Sequence, residues 1–83
     1  MLRIVYSKQA AKALKAMQPR QAKAILSGIE KLAENPARLD LDIKKLLGRD
    51  GYRLRVGQWR VIYSEDGVIL DIVRIGPRGD VYK

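Results

Sequence analysis

The sequence predicts an α+β fold in one domain: an N-terminal strand, a helical hairpin and then an antiparallel three-strand meander. Two observations lead to this prediction. Apolar residues recur with a helical period up to Glu34, and from Tyr52 onward apolar and polar residues alternate with a period of two. With 83 residues, the chain has room for a single domain over residues 1–83. Helices packed on one face of a sheet then bury the apolar surfaces of both.

The N-terminal segment predicts one strand followed by one helix. Leu2 to Tyr6 (LRIVY) is rich in β-branched and aromatic residues, which favour a strand. Ser7 is a good helix N-cap, because its hydroxyl can accept a hydrogen bond from a free backbone N–H of the first turn. Apolar residues at helical spacing predict a helix over residues 8–17: Ala10, Ala13, Leu14 and Met17.

A second helix is predicted to begin at Pro19 and to end before Asn35-Pro36. Proline suits the first turn of a helix, and it disfavours helical geometry at the preceding Gln18. One apolar stripe runs along this helix: Ala22, Ile25, Leu26, Ile29, Leu32 and Ala33. Because the connection is so short, we expect the two helices to form a tight hairpin.

Residues 37–51 show little periodicity and are interpreted as an irregular segment with turns at its glycines. A metal site at Asp40 and Asp42 is one interpretation of this segment. A solvated loop is favoured, because two carboxylates without further oxygen ligands make a poor cage for a cation. The sequence therefore predicts no metal site and no cofactor.

The remaining chain predicts the meander. The strands Tyr52 to Val56 and Trp59 to Ser64 flank Gly57-Gln58, which is interpreted as a two-residue hairpin turn. Val68 to Ile75 then forms the third strand.

The first hairpin turn determines which residues face each other. Its length predicts three cross-strand pairs: Val56 with Trp59, Arg55 with Arg60, and Arg53 with Ile62. One face then carries apolar and aromatic residues that must pack on the helices: Tyr52, Leu54, Val56, Trp59, Val61 and Tyr63. The opposite face carries Arg53, Arg55 and Arg60.

The second hairpin has two possible closures, a two-residue Asp66-Gly67 turn or a three-residue loop from Glu65. The three-residue loop places Asp71 on the apolar face, where an unpaired carboxylate is costly. The Asp-Gly turn is favoured, because it puts Leu70 and Ile72 in the core and Asp71 on the arginine face.

The arginine face indicates an anionic ligand. Like charges directly opposite each other destabilise a sheet, so some anion should offset the repulsion between Arg55 and Arg60. Asp71, expected one strand from Arg60, is one candidate for that anion. A phosphate-bearing ligand is the favoured one, because arginine binds phosphate through planar, bidentate contacts and one carboxylate cannot neutralise three guanidiniums.

Composition limits the class of function. The net charge of +8 points to a polyanion such as nucleic acid, or to an acidic protein partner. The chain has no cysteine, which excludes disulfides and thiolate metal sites and makes the reducing cytoplasm the expected location. It also has no histidine, the commonest general base. The longest apolar run near the N-terminus, Ile4 to Tyr6, is too short for a signal peptide or a membrane span.

Three stretches carry a resemblance to a known family. They are Lys45-Leu46-Leu47-Gly48, the run from Tyr52 to Tyr63 (YRLRVGQWRVIY) and the ending from Arg74 to Tyr82 (RIGPRGDVY). Together with the order of strand, two helices and strands, they make the chain resemble the RelE branch of the RelE/ParE toxins over nearly its whole length. Each of the last two stretches alone is only suggestive, whereas their combination is specific.

The resemblance implies a toxin of a type II toxin–antitoxin system that cuts messenger RNA in the ribosomal A site as a metal-independent endoribonuclease and so inhibits translation. The predicted catalytic residues are Arg60, Arg78 and Tyr82, and the predicted RNA-binding residues are Arg53, Arg55, Lys44 and Lys45. The implied partners are the ribosome, its mRNA and a cognate acidic antitoxin. Operator DNA is expected to be bound only through the antitoxin.

Departures from the family pattern leave alternatives open. Family members often have lysine in place of Arg53 and Arg55, and histidine or lysine in place of Pro77. Arginine cannot serve as a general base, so proton transfer falls to Tyr82, to a carboxylate such as Asp80, or to the ribosome. Tyr82 either handles a proton, stacks on a base or only docks the C-terminus. A ParE-type inhibitor of DNA gyrase and a non-catalytic RNA-binding toxin homologue are the alternative functions.

Overall fold

The computed structural model describes residues 1–38 and 40–77, with two helices packed on a five-stranded sheet. In chain order the elements are β1 (Arg3–Tyr6), α1 (Lys8–Ala16), α2 (Pro19–Glu34), β2 (Asp42–Lys45), β3 (Tyr52–Val56), β4 (Trp59–Glu65) and β5 (Ile69–Pro77). The strands lie in the order β1-β5-β4-β3-β2. The predicted α+β class is confirmed. No helix of the described residues is long and apolar enough to cross a membrane.

The helical hairpin begins and turns where its capping residues predict. Ser7 is the N-cap of α1, and its Oγ accepts a hydrogen bond from the backbone N–H of Ala10 at 3.0 Å. Gln18 is extended, and Pro19 stands in the first turn of α2. The side of α2 that lies against the sheet is buried at Ile25, Gly28, Ile29, Leu32 and Ala33.

The sheet is mixed and wider than the predicted three-strand meander. β1 runs parallel to β5, with Ile4 beside Leu70 and Tyr6 beside Ile72. The predicted meander, β3 to β5, is antiparallel, whereas β1 adds a parallel pairing that the sequence pattern did not predict. Two helices and three strands separate β1 from β5 in the chain, and local sequence patterns carry no information about such a distant contact.

β2 lies within the segment that was interpreted as irregular, and that interpretation is wrong for Asp42–Lys45. Three of the four residues of this strand are charged, which hides the alternation of apolar and polar positions. Ile43 nevertheless packs against the core, and all four residues pair with β3. Charged residues on an edge strand also discourage pairing with other chains.

The first hairpin has the predicted register. All three cross-strand pairs are confirmed: Val56 with Trp59, Arg55 with Arg60, and Arg53 with Ile62. Gly57 has a φ of 60°, which glycine adopts without a steric penalty and which a two-residue turn requires. On the core side, the rings of Tyr52 and Tyr63 stack with centroids 5.5 Å apart, and Trp59 packs against the core as predicted.

The second hairpin closes more widely than predicted. Glu65 faces Leu70, whereas the predicted turn would set Glu65 opposite Val68, so the predicted two-residue Asp66-Gly67 turn is wrong. The carboxylate of Asp66 accepts hydrogen bonds from the backbone N–H groups two and three residues ahead, at 2.9 and 2.7 Å, which stabilises the longer turn. The predicted burial of Leu70 and Ile72 is confirmed, because the two registers differ by an even number of residues.

A β-bulge opposite Ile62 and Tyr63 reverses which residues in the last part of β5 point toward the core. Tyr63 lies opposite Ile72, whereas Ile62 lies opposite Arg74, so Val73 is the extra residue. Without the bulge, Arg74 would share the core side with Ile72. With it, Arg74 moves to the open side of the sheet and the following isoleucine enters the core.

β1 pairs only with the first part of β5, and the N-terminal end of α1 lies beside the residues of β5 that follow. The hydroxyl of Ser7 donates to the carbonyl oxygen of Val73 at 2.8 Å. The side-chain amide of Gln9 donates to the carbonyl oxygen of Ile75 at 2.8 Å and accepts from its N–H at 2.9 Å. Gln9 thus satisfies both backbone groups of Ile75, as a neighbouring strand would.

Replacing Gln9 by Ala is expected to lower the free energy of unfolding by about 2 kcal/mol, since two partly buried backbone groups lose their partners. Urea unfolding of the purified protein measures this loss. Gln21→Ala is the control, because Gln21 is an exposed glutamine of α2 and its removal should change stability by less than about 0.5 kcal/mol. Equal stability of the two variants would contradict the role assigned to Gln9.

Candidate nucleic-acid interface

The sheet face turned away from the helices carries two cross-strand rows of residues. One row is Lys44, Arg53, Ile62 and Arg74, and the other is Asp42, Arg55, Arg60 and Gly76. We name the five cations of these rows the basic face: Lys44, Arg53, Arg55, Arg60 and Arg74. The prediction that Arg53, Arg55 and Arg60 share one face is confirmed.

Arg55 and Arg60 lie directly opposite each other on β3 and β4. Arg55 is exposed, and its Nε donates to the carbonyl oxygen of Gly57 at 3.3 Å. Arg60 is half-buried, and its guanidinium forms no hydrogen bond or ion pair with any residue of the described ranges. Neither guanidinium forms an ion pair within residues 1–38 and 40–77. Two guanidiniums held side by side repel each other, so an anion bound between them would stabilise the sheet.

Arg53 is in a different state from the other two arginines. It is 9% exposed and is the only buried charged residue in the described part of the chain. Its Nη2 forms an ion pair with Oδ1 of Asp42 at 2.9 Å. Its Nε is buried and has no hydrogen-bond partner among the described residues. Its cross-strand neighbour Ile62 is 3% exposed, so these two side chains offer little exposed surface.

Within the described residues, the carboxylate that neutralises an arginine of the basic face is Asp42, and it is not Asp71, which was one candidate beside the favoured phosphate-bearing ligand. Asp71 faces Ser64, four residues along β4 from Arg60, because the second hairpin closes more widely than predicted. The other half of the suggested metal pair is also engaged elsewhere. Asp40 forms its ion pair with Arg38, whose hydrogen bond lowers the pKa of the Asp40 carboxyl.

Of the two lysines predicted to bind RNA, only Lys44 belongs to the basic face. Lys44 faces Arg53 and belongs to the row of cations, whereas Lys45 faces Tyr52 and so belongs to the other side of the strand. Both nevertheless line a cavity of about 350 Å³ at the β2–β3 connection. The complete lining is Lys44, Lys45, Leu46, Leu47, Arg49 and Arg53.

Arg74 is a member of the basic face that sequence reasoning missed. The alternation that buries Leu70 and Ile72 would place position 74 on the core side as well, and only the bulge reverses this. The sequence does contain a signal, since an arginine at an expected core position beside an isoleucine at an expected open position indicates a bulge.

Two tyrosines of the sheet, Tyr6 and Tyr63, are unsuited to acid–base chemistry at neutral pH, because their pKa values are raised. Burial raises the pKa of Tyr63 to about 12, and Tyr52 and Glu65 add to this effect. Burial, with a smaller contribution from the charge of Glu30, also raises the pKa of Tyr6. Tyr6 packs against the core.

The raised pKa of Tyr63 predicts a loss of stability at alkaline pH. Tyrosine in the unfolded chain ionises near pH 10, whereas Tyr63 in the folded protein ionises near pH 12. The unfolded state therefore releases its proton first. The contribution of Tyr63 is complete below about pH 10 and is lost as the pH rises toward about 12. Urea unfolding at a series of pH values measures this decline, which Tyr63→Phe should flatten. A decline of the same size in the variant would contradict the assignment.

Three of the residues considered for catalysis lie outside the described residues: Arg78, Asp80 and Tyr82. The described part of β5 ends at Pro77, opposite Trp59, and Gly76 lies opposite Arg60. The last described residues of the chain are therefore next to the unneutralised pair of arginines.

Comparisons with known proteins give one family model and a set of solved structures. The model described as ParE toxin of type II toxin-antitoxin system, parDE, matches residues 4–82. The RelE–RelB complex from Pyrococcus horikoshii OT3 contains a chain with 33% identity and a TM-score of 0.80, covering 95% of this chain and 97% of that one. The RelB–RelE complex from Methanococcus jannaschii gives 29% identity and a TM-score of 0.75, with 95% of each chain covered.

A more distant structure supports the fold alone. The YoeB dimer from Staphylococcus aureus has 24% identity and a TM-score of 0.75, covering 88% of this chain and 92% of that one. No curated protein matches the chain. The family model and the Pyrococcus structure each extend over nearly the whole chain, including the strands of the basic face. The chain therefore belongs to the RelE/ParE superfamily of toxins of type II toxin–antitoxin systems, in its RelE-like branch.

Proposed function

We propose that this toxin is a ribosome-dependent endoribonuclease that cleaves mRNA and thereby inhibits translation. The observation that carries the proposal is the half-buried Arg60, which has no partner among the described residues and lies opposite Arg55 on the basic face. Preorganised cations of this kind stabilise charge that develops on a phosphate during reaction. The 33% identity to a chain of a RelE–RelB complex supports the same function.

The proposed reaction is attack of an RNA 2′-hydroxyl on the adjacent phosphorus. A bond forms between O2′ and phosphorus, the bond between phosphorus and O5′ breaks, and the leaving oxygen takes up a proton. Arg60 and Arg78 stabilise the added charge on the phosphate, while Arg53 and Arg55, with Lys44 and Lys45, hold the RNA backbone. Tyr82 accepts the proton of the 2′-hydroxyl. The guanidiniums supply the charge stabilisation, so the proposed reaction requires no metal ion.

We also propose that a cognate acidic antitoxin binds this toxin in the cytoplasm. The net charge of +8 favours an acidic partner, and the relatives from Pyrococcus and Methanococcus are described as complexes of RelE with RelB. Contact with operator DNA is then made through the antitoxin. Co-expression with a short acidic reading frame adjacent to the gene tests this, and failure both to co-purify and to restore growth would refute it.

Inhibition of DNA gyrase is the second candidate function, because the family model that matches the chain is described as ParE toxin. This function uses the same fold without cleaving RNA. A toxin homologue that binds RNA without cutting it is the third.

Pulse labelling of growing cells after induction separates these functions. An mRNA endonuclease is expected to stop incorporation of methionine first, while a gyrase inhibitor stops incorporation of thymidine first. Toeprinting of mRNA on ribosomes then distinguishes cleavage from binding. New 3′ ends in the A site support the endonuclease. Arrest of methionine incorporation without new ends would indicate the non-catalytic homologue.

A further inference from the structure

The ion pair between Arg53 and Asp42 is unusual because it places a carboxylate inside the basic face. Asp42 is the cross-strand neighbour of Arg55 as well as the ion-pair partner of Arg53. It is the single acidic residue in the two described rows that contain the five cations. A carboxylate here reduces the attraction of this surface for any polyanion, which is the reverse of what a basic binding face requires.

The burial of Arg53 leaves one of its donors without an acceptor. Asp42 engages Nη2, while the buried Nε has no partner among residues 1–38 and 40–77. A desolvated N–H without an acceptor is costly, and the side chain of Asp42 is 53% exposed, so the pair is open to solvent on the carboxylate side. A ligand with two or more acceptor oxygens can satisfy Nη2 and Nε together, as phosphate does with arginine.

Space for such a ligand exists beside Arg53. The cavity of about 350 Å³ at the β2–β3 connection is bordered by Arg53, and its remaining lining consists of two lysines, two leucines and Arg49, without a carboxylate. This volume is within the range of small-ligand pockets. Lys44 and Lys45 add positive charge to the lining of this cavity.

We propose that Asp42 is an internal substitute for an RNA phosphate on Arg53. In the free protein the carboxylate holds the guanidinium, and in the complex a backbone phosphate of RNA seated in this cavity displaces it. Asp42 is then a specificity-determining residue, because an anion binds Arg53 only by outcompeting the carboxylate. Weak polyanions are rejected, and a correctly positioned phosphate is accepted. This inference rests on the proposed function for the identity of the anion as RNA.

This exchange, in which a phosphate displaces the Asp42 carboxylate from Arg53, is tested first with inorganic phosphate. Asp42→Asn removes the competing charge, so phosphate is expected to bind about three- to tenfold more tightly than to the parent protein, as followed by the ¹⁵N resonance of Arg53 Nε. Asp40→Asn is the matched control. It makes the same change in net charge and also breaks an ion pair with an arginine, Arg38, away from the basic face. Its affinity should stay within about twofold of the parent. Equal affinity of the two variants would overturn the proposal.

The parent protein provides a test that does not depend on folding of the variant. Saturation with phosphate should shift the Arg53 Nε resonance and the Asp42 carboxyl carbon together, because binding to one breaks its pair with the other. A shift at Arg53 alone, or at neither group, would overturn the exchange.

A non-cleavable RNA, 2′-O-methylated throughout, separates this inference from the proposed function. Tighter RNA binding by Asp42→Asn than by Asp40→Asn supports both the displacement of Asp42 by an anion and the identity of that anion as RNA. If the phosphate results are as expected and no variant binds RNA, the exchange is supported with another anion and the RNA function fails. If RNA binds all three proteins equally, the exchange fails although RNA binding stands.

Discussion

The Arg60→Ala variant is expected to remain folded and to lose mRNA cleavage by about 10²–10³-fold, the usual effect of removing one donor that stabilises a transition state. The reason is the state of Arg60 in the structure. Its guanidinium has no ion pair or hydrogen bond within the described ranges, and it lies opposite another arginine, Arg55. Its removal therefore takes away a binding group without breaking a structural contact.

Stability of Arg60→Ala is expected to stay the same or to rise by a few tenths of a kcal/mol, because repulsion across the β3–β4 pair is relieved. Thermal melts and cleavage of ribosome-bound mRNA, measured on the same preparation, check both statements. Arg20→Ala is the control, since Arg20 is an exposed arginine of α2 and its loss changes the net charge equally. An unfolded Arg60→Ala protein, or one as active as Arg20→Ala, would contradict the assigned role.

Arg53 does not allow the same clean experiment. It is buried and ion-paired with Asp42, so Arg53→Ala removes packing and leaves Asp42 without its partner. Loss of activity in that variant would mix destabilisation with loss of RNA contact. The structure thus separates arginines that the sequence could only group together.

The Tyr82→Phe variant is expected to lose most mRNA cleavage while it retains its fold and its binding to ribosomes. A phenol with a pKa near 10 is a poor base at neutral pH unless neighbouring cations lower that pKa. The basic face supplies such cations, and the chain contains no histidine that could act instead. Buried Tyr63 is excluded from the role, because its own pKa is raised to about 12.

Ribosome co-sedimentation and cleavage of ribosome-bound mRNA, measured for Tyr82→Phe and Tyr82→Ala, distinguish the roles of this residue. If Tyr82 stacks on a base, Tyr82→Phe keeps its activity and Tyr82→Ala loses it. If both variants are fully active, Tyr82 has no part in the reaction. Tyr6→Phe is the control for loss of a tyrosine hydroxyl elsewhere, because Tyr6 packs against the core.

Local patterns were sufficient to predict most elements of this protein and three of the five cations of its basic face, Arg53, Arg55 and Arg60. Ser7 and Pro19 mark the two helix starts, and Gly57 allows the tight turn that sets Arg55 against Arg60. Each of these features depends on residues that are close together in the chain. A helix cap, a tight turn or an alternation of apolar and polar residues is then sufficient to specify the local structure. The opposition of Arg55 and Arg60 therefore follows from the turn alone, without any tertiary contact.

Contacts between distant parts of the chain decided the rest. The parallel pairing of β1 with β5, the pairing of β2 with β3 and the bulge that exposes Arg74 arise from packing of the assembled sheet. Asp42 lies in a stretch without regular alternation of apolar and polar residues. Its ion pair with Arg53 could therefore be recognised only from the pairing of β2 with β3. Local alternation and the tight turn at Gly57 are sufficient to put Arg53, Arg55 and Arg60 on one face. The tertiary structure decided which of them are neutralised, because burial and ion pairing depend on neighbours that local alternation does not specify.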